Sequence, residues 1–252
     1  MPKTSSLTKS LTRGLTQDLF KNTFVNQYSL LFDGVDDYVY SGTSSGADYN
    51  GGSVANKSYS FWAKTTDTGT WNSVFDHGSA TRGAFHFTVN ATHRRHLLYM
   101  GSSNYRYWVH NTETYDGTWH HHVVVLTTDI TASKYYLDGA LQSVQSTVST
   151  GGQNGYTHGV RQGRAHPYYY KGSLDEFAVF DGELSAADVL AIYNNGTPAD
   201  LSRFSPEVWW RNGDGDVAPD IINHGSGVFS PVAAVLYNTG TPPAASITLD
   251  SP

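Results

Sequence analysis

Cysteine is absent from all 252 residues, which excludes disulfides, thiolate metal sites and a cysteine nucleophile, and leaves the redox compartment unconstrained. No apolar run approaches the roughly 18 residues that a membrane-crossing helix needs. With a mean hydropathy of -0.40, a soluble protein without a membrane partner is expected. An apolar segment is also missing behind Met1, where Pro2, Lys3 and Thr4 stand, so no signal peptide is predicted, although the Ser/Thr/Lys/Arg-rich start imitates an organelle transit peptide. Charged residues are sparse, at 15%, and the formal net charge is -6, which argues against a nucleic-acid partner. Residues 1–27 run against this balance: Lys3, Lys9, Arg13 and Lys21 face Asp18 alone. A basic arm thus precedes an acidic body.

Glutamate is scarce as well: only Glu113, Glu176, Glu183 and Glu207 occur. A glycosidase needs two carboxyl groups roughly 5–9.5 Å apart. Asp175 and Glu176 are adjacent, and on a regular strand neighbours face opposite sides. The sequence therefore predicts a protein that is not an enzyme, with a glycan-cleaving enzyme as the least favoured class.

What is abundant is glycine (25), tyrosine (17) and tryptophan (6), the profile of turn-rich β structure. Short apolar or alternating runs predict strands at 28–32, 38–40, 59–64, 72–77, 84–89, 96–100, 105–109, 119–127, 134–139 and 173–180. Their spacing suggests a sandwich or jelly roll. One helix is expected in LSAADVLAIYNNG, with Ser185 as N-cap, Asp188 near the positive end, Val189, Ile192 and Tyr193 on the buried side, and Asn195-Gly196 as a left-handed stop. Trp209 and Trp210 should pack back on the domain, whereas the Pro/Gly/Ala/Thr-rich stretch after Ser230 reads as an extended arm. The expected divisions are an N-terminal anchoring arm (1–27), one β domain (28–200) and a C-terminal extension (201–252).

Five segments in order, LLFDGVDDYV, YSFWAK, GTWHHHVVVL, KYYLDG and GSLDEFAVFDGELSAADVLAIYNNG, resemble laminin-G-like, concanavalin A-like lectin/glucanase jelly rolls over residues 28–200. The continuation WWRNGDGD and the SLTR-type arm are similar to the versions of this domain in phage virion proteins, marine phages in particular. The resemblance implies an all-β, two-sheet antiparallel jelly-roll sandwich with one short C-terminal helix and extended arms, used to bind carbohydrate or protein surfaces. The glucanase motif Glu-x-Asp-x-x-Glu is absent.

Asp33, Asp36 and Asp37 lie within five residues. They read equally as a turn in which Asp caps backbone amides around Gly34, and as ligands of a structural calcium that the resemblance would complete with Asp175. His120 and His122 share one strand face and could meet a third imidazole from His86, His93 or His96; a packed, hydrogen-bonded role is favoured over a metal. Asn212-x-Asp214-x-Asp216 lacks the glycine of an EF-hand and reads as a solvated turn. Candidate carbohydrate-binding aromatics are Tyr105, Tyr107 and Trp108 in one cluster and Tyr168, Tyr169 and Tyr170 in another, of which at least one of the latter should remain exposed.

The arm repeats a tetrapeptide, SLTK SLTR GLTQ DLFK, and a step of four keeps Leu7, Leu11, Leu15 and Leu19, with Phe20, on one stripe of a helix or one face of a strand. This is a one-sided, partner-binding surface in either conformation. The leading expectation is a non-enzymatic virion structural protein, a capsid decoration or tail-appendage subunit, that forms homo-oligomers, contacts other virion subunits through its arm and resides in the virion, or in host cytoplasm during assembly. The alternative is a lectin or adhesion module for surface polysaccharide. Structural calcium is the one cofactor expected.

Overall fold

The computed structural model describes residues 24–41, 56–69, 71–77, 84–89, 94–99, 104–109, 114–148, 159–165, 167–226, 234–237 and 246–252. The leucine-step segment with Leu7, Leu11, Leu15, Leu19 and Phe20 lies outside the described residues, as do His93 and the side chain of His86.

In chain order the strands are β1 (Ser29–Asp33), β2 (Tyr38–Tyr40), β3 (Lys57–Lys64), β4 (Asn72–His77), β5 (Ala84–Val89), β6 (Arg94–Tyr99), β7 (Tyr105–Val109), β8 (His120–Leu126), β9 (Lys134–Leu137), β10 (Ala140–Leu141), β11 (Val144–Val148), β12 (Val160–Gln162), β13 (Arg164–Ala165), β14 (Tyr168–Tyr169) and β15 (Lys171–Asp181). Helix α1 (Ala186–Tyr193) follows, then β16 (Val208–Trp210), β17 (Asp220–Ile221), β18 (Ala234–Tyr237) and β19 (Ser246–Thr248). They form two antiparallel sheets, β10-β9-β8-β3-β15-β1-β19 with β16 beside β15, and β11-β7-β6-β5-β4-β12-β2-β18-β17. A separate hairpin, β13-β14, adjoins β4. All ten strands read from the sequence are present.

The two sheets meet over an aromatic core. Phe61 of β3 lies 6.0 Å from both Phe75 and Phe85 of the opposite sheet and stacks on His122 at 5.0 Å. Trp108, Tyr135, Leu174, Phe177 and Trp210 fill the same layer. The first sheet is covered on its outer face too, where Val123, Val125 and Tyr136 pack on Val189 of α1, and Ala178 and Phe180 pack on Ile192, Leu201 and Trp209. Burial on both faces explains why β8 reads HHHVVVL without polar alternation, every position of it buried. Helix α1 starts at a capping box between Ser185 and Asp188 and ends at left-handed Asn194, one residue earlier than the predicted stop.

Two features depart from the sequence reading. The stretch read as an extended C-terminal arm contributes a strand to each sheet: β18 pairs with β2, and β19 pairs with β1. Strand β15 carries a bulge. Asp175 opposes Trp62 but Ala178 opposes Ser60, and the extra residue falls at Glu176, whose φ is 49°. Asp175 and Glu176 therefore lie on the same, outer side of the sheet instead of facing apart. Among the described residues no helix is long and apolar enough to cross a membrane.

Candidate functional site

Three connections converge at one end of the sandwich: the β1–β2 turn, the segment from Thr65 to Asn72, and the passage from β14 into β15. Their backbones are tied through Lys171, which is paired with Asp33. The Asn72 amide accepts from the Lys171 N–H (2.7 Å) and donates to its carbonyl (3.3 Å), which also accepts from the Thr65 hydroxyl (2.6 Å). Gly172 has a φ of 140°, and a Cβ there would lie 2.4 Å from the Lys64 carbonyl oxygen. No other residue allows this close approach. The tied connections enclose a cavity of about 510 Å³ lined by Leu31, Phe32, Asp33, Thr65 to Thr68, Lys171 and Gly172. Beside Asn72, Trp71 stacks on Tyr168 with ring centroids 5.2 Å apart and planes at 20°, and each residue is 38% exposed.

At the rim, carboxylate oxygens of Asp33, Asp36 and Asp37 all lie within 4.8 Å of one another. Asp33 accepts from the Val35 N–H (2.7 Å) and Asp37 from the Asp33 N–H (3.0 Å), so the turn reading is realised. The second oxygen of Asp37 is nevertheless shut off from solvent with no hydrogen-bond partner. Burial, followed by the charges of Asp33 and Asp36, pushes the Asp37 carboxyl up to about 6. Three convergent carboxylates with one orphaned oxygen are a donor set suited to calcium. Asp175 is not part of it. It sits four residues along β15 from Lys171, roughly 13 Å at strand rise, so the clamp of first and last strands that the resemblance implied is not built.

The structure also divides the candidate aromatics. Trp108 and Tyr170 are fully buried in the core and cannot meet a ligand. Tyr105 and Tyr107, on the opposite face of β7 from Trp108, are half-buried and stack at 5.8 Å. Tyr168 is exposed and Tyr169 half-buried. Trp71 was missed because it stands outside any run, with Thr70 and Asn72 around it. Its only signal was a large aromatic at a strand entrance.

The histidine run is interior. His122 bonds the Tyr135 hydroxyl (2.8 Å), His121 the Ser60 hydroxyl (2.9 Å) and His120 the Asp138 carboxylate (2.8 Å). His96 bonds Thr114 (3.2 Å). Burial holds His121 down to about 3, so that ring is neutral.

On the outer side of the first sheet, Asp175 accepts from the Asn26 amide (2.8 Å). Glu176 accepts from the Trp209 indole and the Arg211 guanidinium. Asp214, read as part of a solvated turn, is instead buried and accepts from the backbone N–H groups of Gln27 and Tyr28 (3.0 and 3.4 Å). Asp216 likewise accepts from Gly213 and Ile222 N–H groups. Asp175 and Glu176 are 0% and 2% exposed, so this carboxyl pair is sealed from any substrate.

Burial raises both carboxyls well above the ordinary range, and raises Asp76 to about 6 against the pull of Arg161. The folded protein then holds protons that the unfolded chain releases. The stability these groups contribute is complete below about pH 4 and is lost as pH rises through 6 and above. The melting temperature is expected to fall by a few degrees between pH 5 and pH 8, and Glu176→Gln to make that fall shallower. A scan that is flat in both proteins contradicts this.

The fold agrees with comparisons to known proteins. No curated protein sequence matches the chain. Among solved structures, a heptameric SAP-like pentraxin from Limulus polyphemus aligns with a TM-score of 0.54 at 14% identity, over 68% of this chain and 83% of its own. A protein from Bacteroides ovatus, described as a candidate carbohydrate binding protein, aligns with a TM-score of 0.60 at 9% identity. That alignment takes in 90% of this chain but only 60% of the other, so the latter is considerably longer. These likenesses show a shared β-sandwich fold. The family model described as the Concanavalin A-like lectin/glucanases superfamily matches residues 33–190, from the acidic turn to the helix, and the chain belongs to that family.

Proposed function

We propose that the protein is a non-catalytic glycan-binding module whose site is the end of the sandwich holding Trp71, Tyr168 and the adjoining cavity. The observation that carries this reading is the exposed stacked pair beside a cavity lined with hydroxyl, carboxylate and ammonium groups. Sugar rings present apolar C–H faces that rest on aromatic surfaces, and hydroxyls that pair with groups such as Asp33, Thr66, Asp67 and Lys171. The sealing of Asp175 and Glu176 supports a binding role over a hydrolytic one. Affinity per site is expected to be weak, with strength supplied by several copies acting together. A glycan array probed with oligomerised protein should show binding, and Trp71→Ala or Tyr168→Ala should each reduce it about tenfold, the effect of losing roughly 1.4 kcal/mol. Complete silence of the array overturns the reading.

Calcium at Asp33, Asp36 and Asp37 belongs to the same proposal, as a structural ion that holds the β1–β2 turn at the cavity rim. Adding calcium to chelator-treated protein should raise the melting temperature by several degrees, since a hundredfold excess over the dissociation constant adds ~2.7 kcal/mol. Asp37→Asn should abolish this gain and Asp175→Asn should leave it intact. An unchanged melting curve for the parent protein excludes the ion.

The basic arm favours a second, compatible reading, in which the module is a structural subunit of a phage particle, anchored by the segment before Phe24, since Phe24, Asn26 and Gln27 are held by the domain itself. Burying four leucines and a phenylalanine stabilises by ~8–15 kcal/mol, less than the ~20–40 needed to order some twenty residues. Backbone hydrogen bonds must therefore contribute, as in a helix or an added strand on a neighbouring subunit. Deleting residues 1–21 should preserve the β-rich spectrum and melting temperature yet abolish assembly on particles or into oligomers. Normal assembly of the truncated protein would exclude the anchoring role.

A further inference from the structure

Residues 24–28 lie as a strap against the outer side of the first sheet before β1 begins. None of the five is fully buried, and Val25 is 49% exposed. They nevertheless cover the two acids of the bulge. Asn26 caps Asp175, while Phe24 stacks on Trp209 and lies 4.5 Å from the Arg211 guanidinium, the two groups that donate to Glu176. Apart from a bond from the Ser251 hydroxyl to the Asn26 carbonyl (3.1 Å), the hydrogen bonds of the strap among the described residues all run to the acid network. The Asn26 amide donates to Asp175, the Gln27 and Tyr28 N–H groups donate to Asp214, and the Val25 carbonyl accepts from Arg211. Behind the strap is space: Phe24, Val25 and Asn26 form one wall of a cavity of about 670 Å³, faced by Asn194, Asp200, Arg203 and Pro252.

The network is short of positive charge. Among the described residues Arg211 is the one cation that pairs with these carboxyls, with Glu176 at 3.3 Å and Asp214 at 3.6 Å, while Asp175 accepts only from the Asn26 amide and the Glu176 N–H. The charged groups around it are engaged elsewhere. Asp216 accepts from the Gly213 and Ile222 N–H groups, Asp200 from the Ser202 N–H, Arg203 lies over Phe204, and Lys64 pairs with Asp250. His224 packs on Trp209, and burial with the Arg211 charge holds it below its ordinary range, so it adds no positive charge near neutrality. Burial raises both bulge carboxyls, and for Asp175 the charge of Glu176 adds to the effect. Ionising both would set three carboxylates around one guanidinium in a space closed to water. Strands β3, β15 and β16 cannot part to admit water without breaking the sheet. The strap can lift, because few bonds hold it and a cavity lies behind it.

We propose that residues 24–28 form a pH-released strap, docked while Asp175 and Glu176 are protonated and lifted when they ionise, so that the root of the N-terminal arm is freed from the domain. This is independent of the glycan-binding reading. A carboxyl in water titrates near about 4, so the docked strap holds protons that the lifted one releases. Docking is therefore complete in acid and is lost as pH rises through and above neutrality.

The absence of cysteine lets Val25→Cys carry a single nitroxide label, whose mobility is read by electron paramagnetic resonance from about pH 5 to about pH 9. The ratio of mobile to immobile label should rise at least tenfold, the change that one unit of pKa difference between the two states produces. A label at Val144→Cys, exposed on β11 of the other sheet, should not respond. Asp175→Asn combined with Glu176→Gln, which removes both ionisations, should keep the Val25 label immobile throughout. Constant mobility at Val25, or an equal rise at Val144 because the whole domain loosens, overturns the proposal. A response that the double variant retains overturns it as well. Should that variant fail to fold, the two labels in the otherwise unchanged protein decide by themselves.

Discussion

A single left-handed residue in the longest strand constrains much of this molecule. Glu176 adopts a φ of 49° in the middle of β15, and the bulge brings two successive carboxyls to one side of a sheet that is otherwise covered by apolar groups. Two buried acids cannot stay there alone; they need donors. Asn26, Trp209 and Arg211 supply them, and Asp214 completes the group by holding the Gln27 and Tyr28 amides. The N-terminal approach, the centre of the first sheet and the C-terminal extension are thereby joined in one polar network, with Phe24 stacked over Trp209 at 6.0 Å. Removing one acid would leave donors unanswered, and removing Arg211 would leave acids unanswered.

The network also explains why residues beyond Leu201 are integral to the fold. Trp210 enters the central core and Trp209 the outer layer, because β16 runs beside β15 with Trp210 opposite Phe177. Neighbouring positions on a strand point to opposite faces, so one Trp-Trp pair serves both layers.

What was legible in the sequence followed from local chemistry. The strand runs, the Ser185 cap and the burial of Trp209 and Trp210 depend on alternation, capping and size, all visible in a few residues. The elements that were not legible depend on partners distant in the chain. A glutamate with positive φ has no signature. AVLY and SIT are too short, and too close to proline and glycine, to read as strands, and they exist because β2 and β1 offer open edges. Asp214 reads as a surface turn until the chain nearly two hundred residues earlier is laid against it. At the candidate site, the acidic turn and Tyr168 were visible as clusters, whereas Trp71 acquires meaning only when β4 and the β13-β14 hairpin are brought together. Clusters such as Tyr168 to Tyr170 also conceal their own division, since alternation sends Tyr170 into the core.

The pairing of β1 with β19 has a mechanical consequence. Ser29 opposes Thr248, and the Ser251 hydroxyl donates to the Asn26 carbonyl, so the chain enters and leaves the domain at one point through antiparallel neighbours. Tension applied between Phe24 and Pro252 would load this ladder at its end, opening its hydrogen bonds one after another instead of shearing them together. The domain would yield to pulling at low force in that direction, while a load carried through the arm alone would spare β19 and draw on the buried acid network.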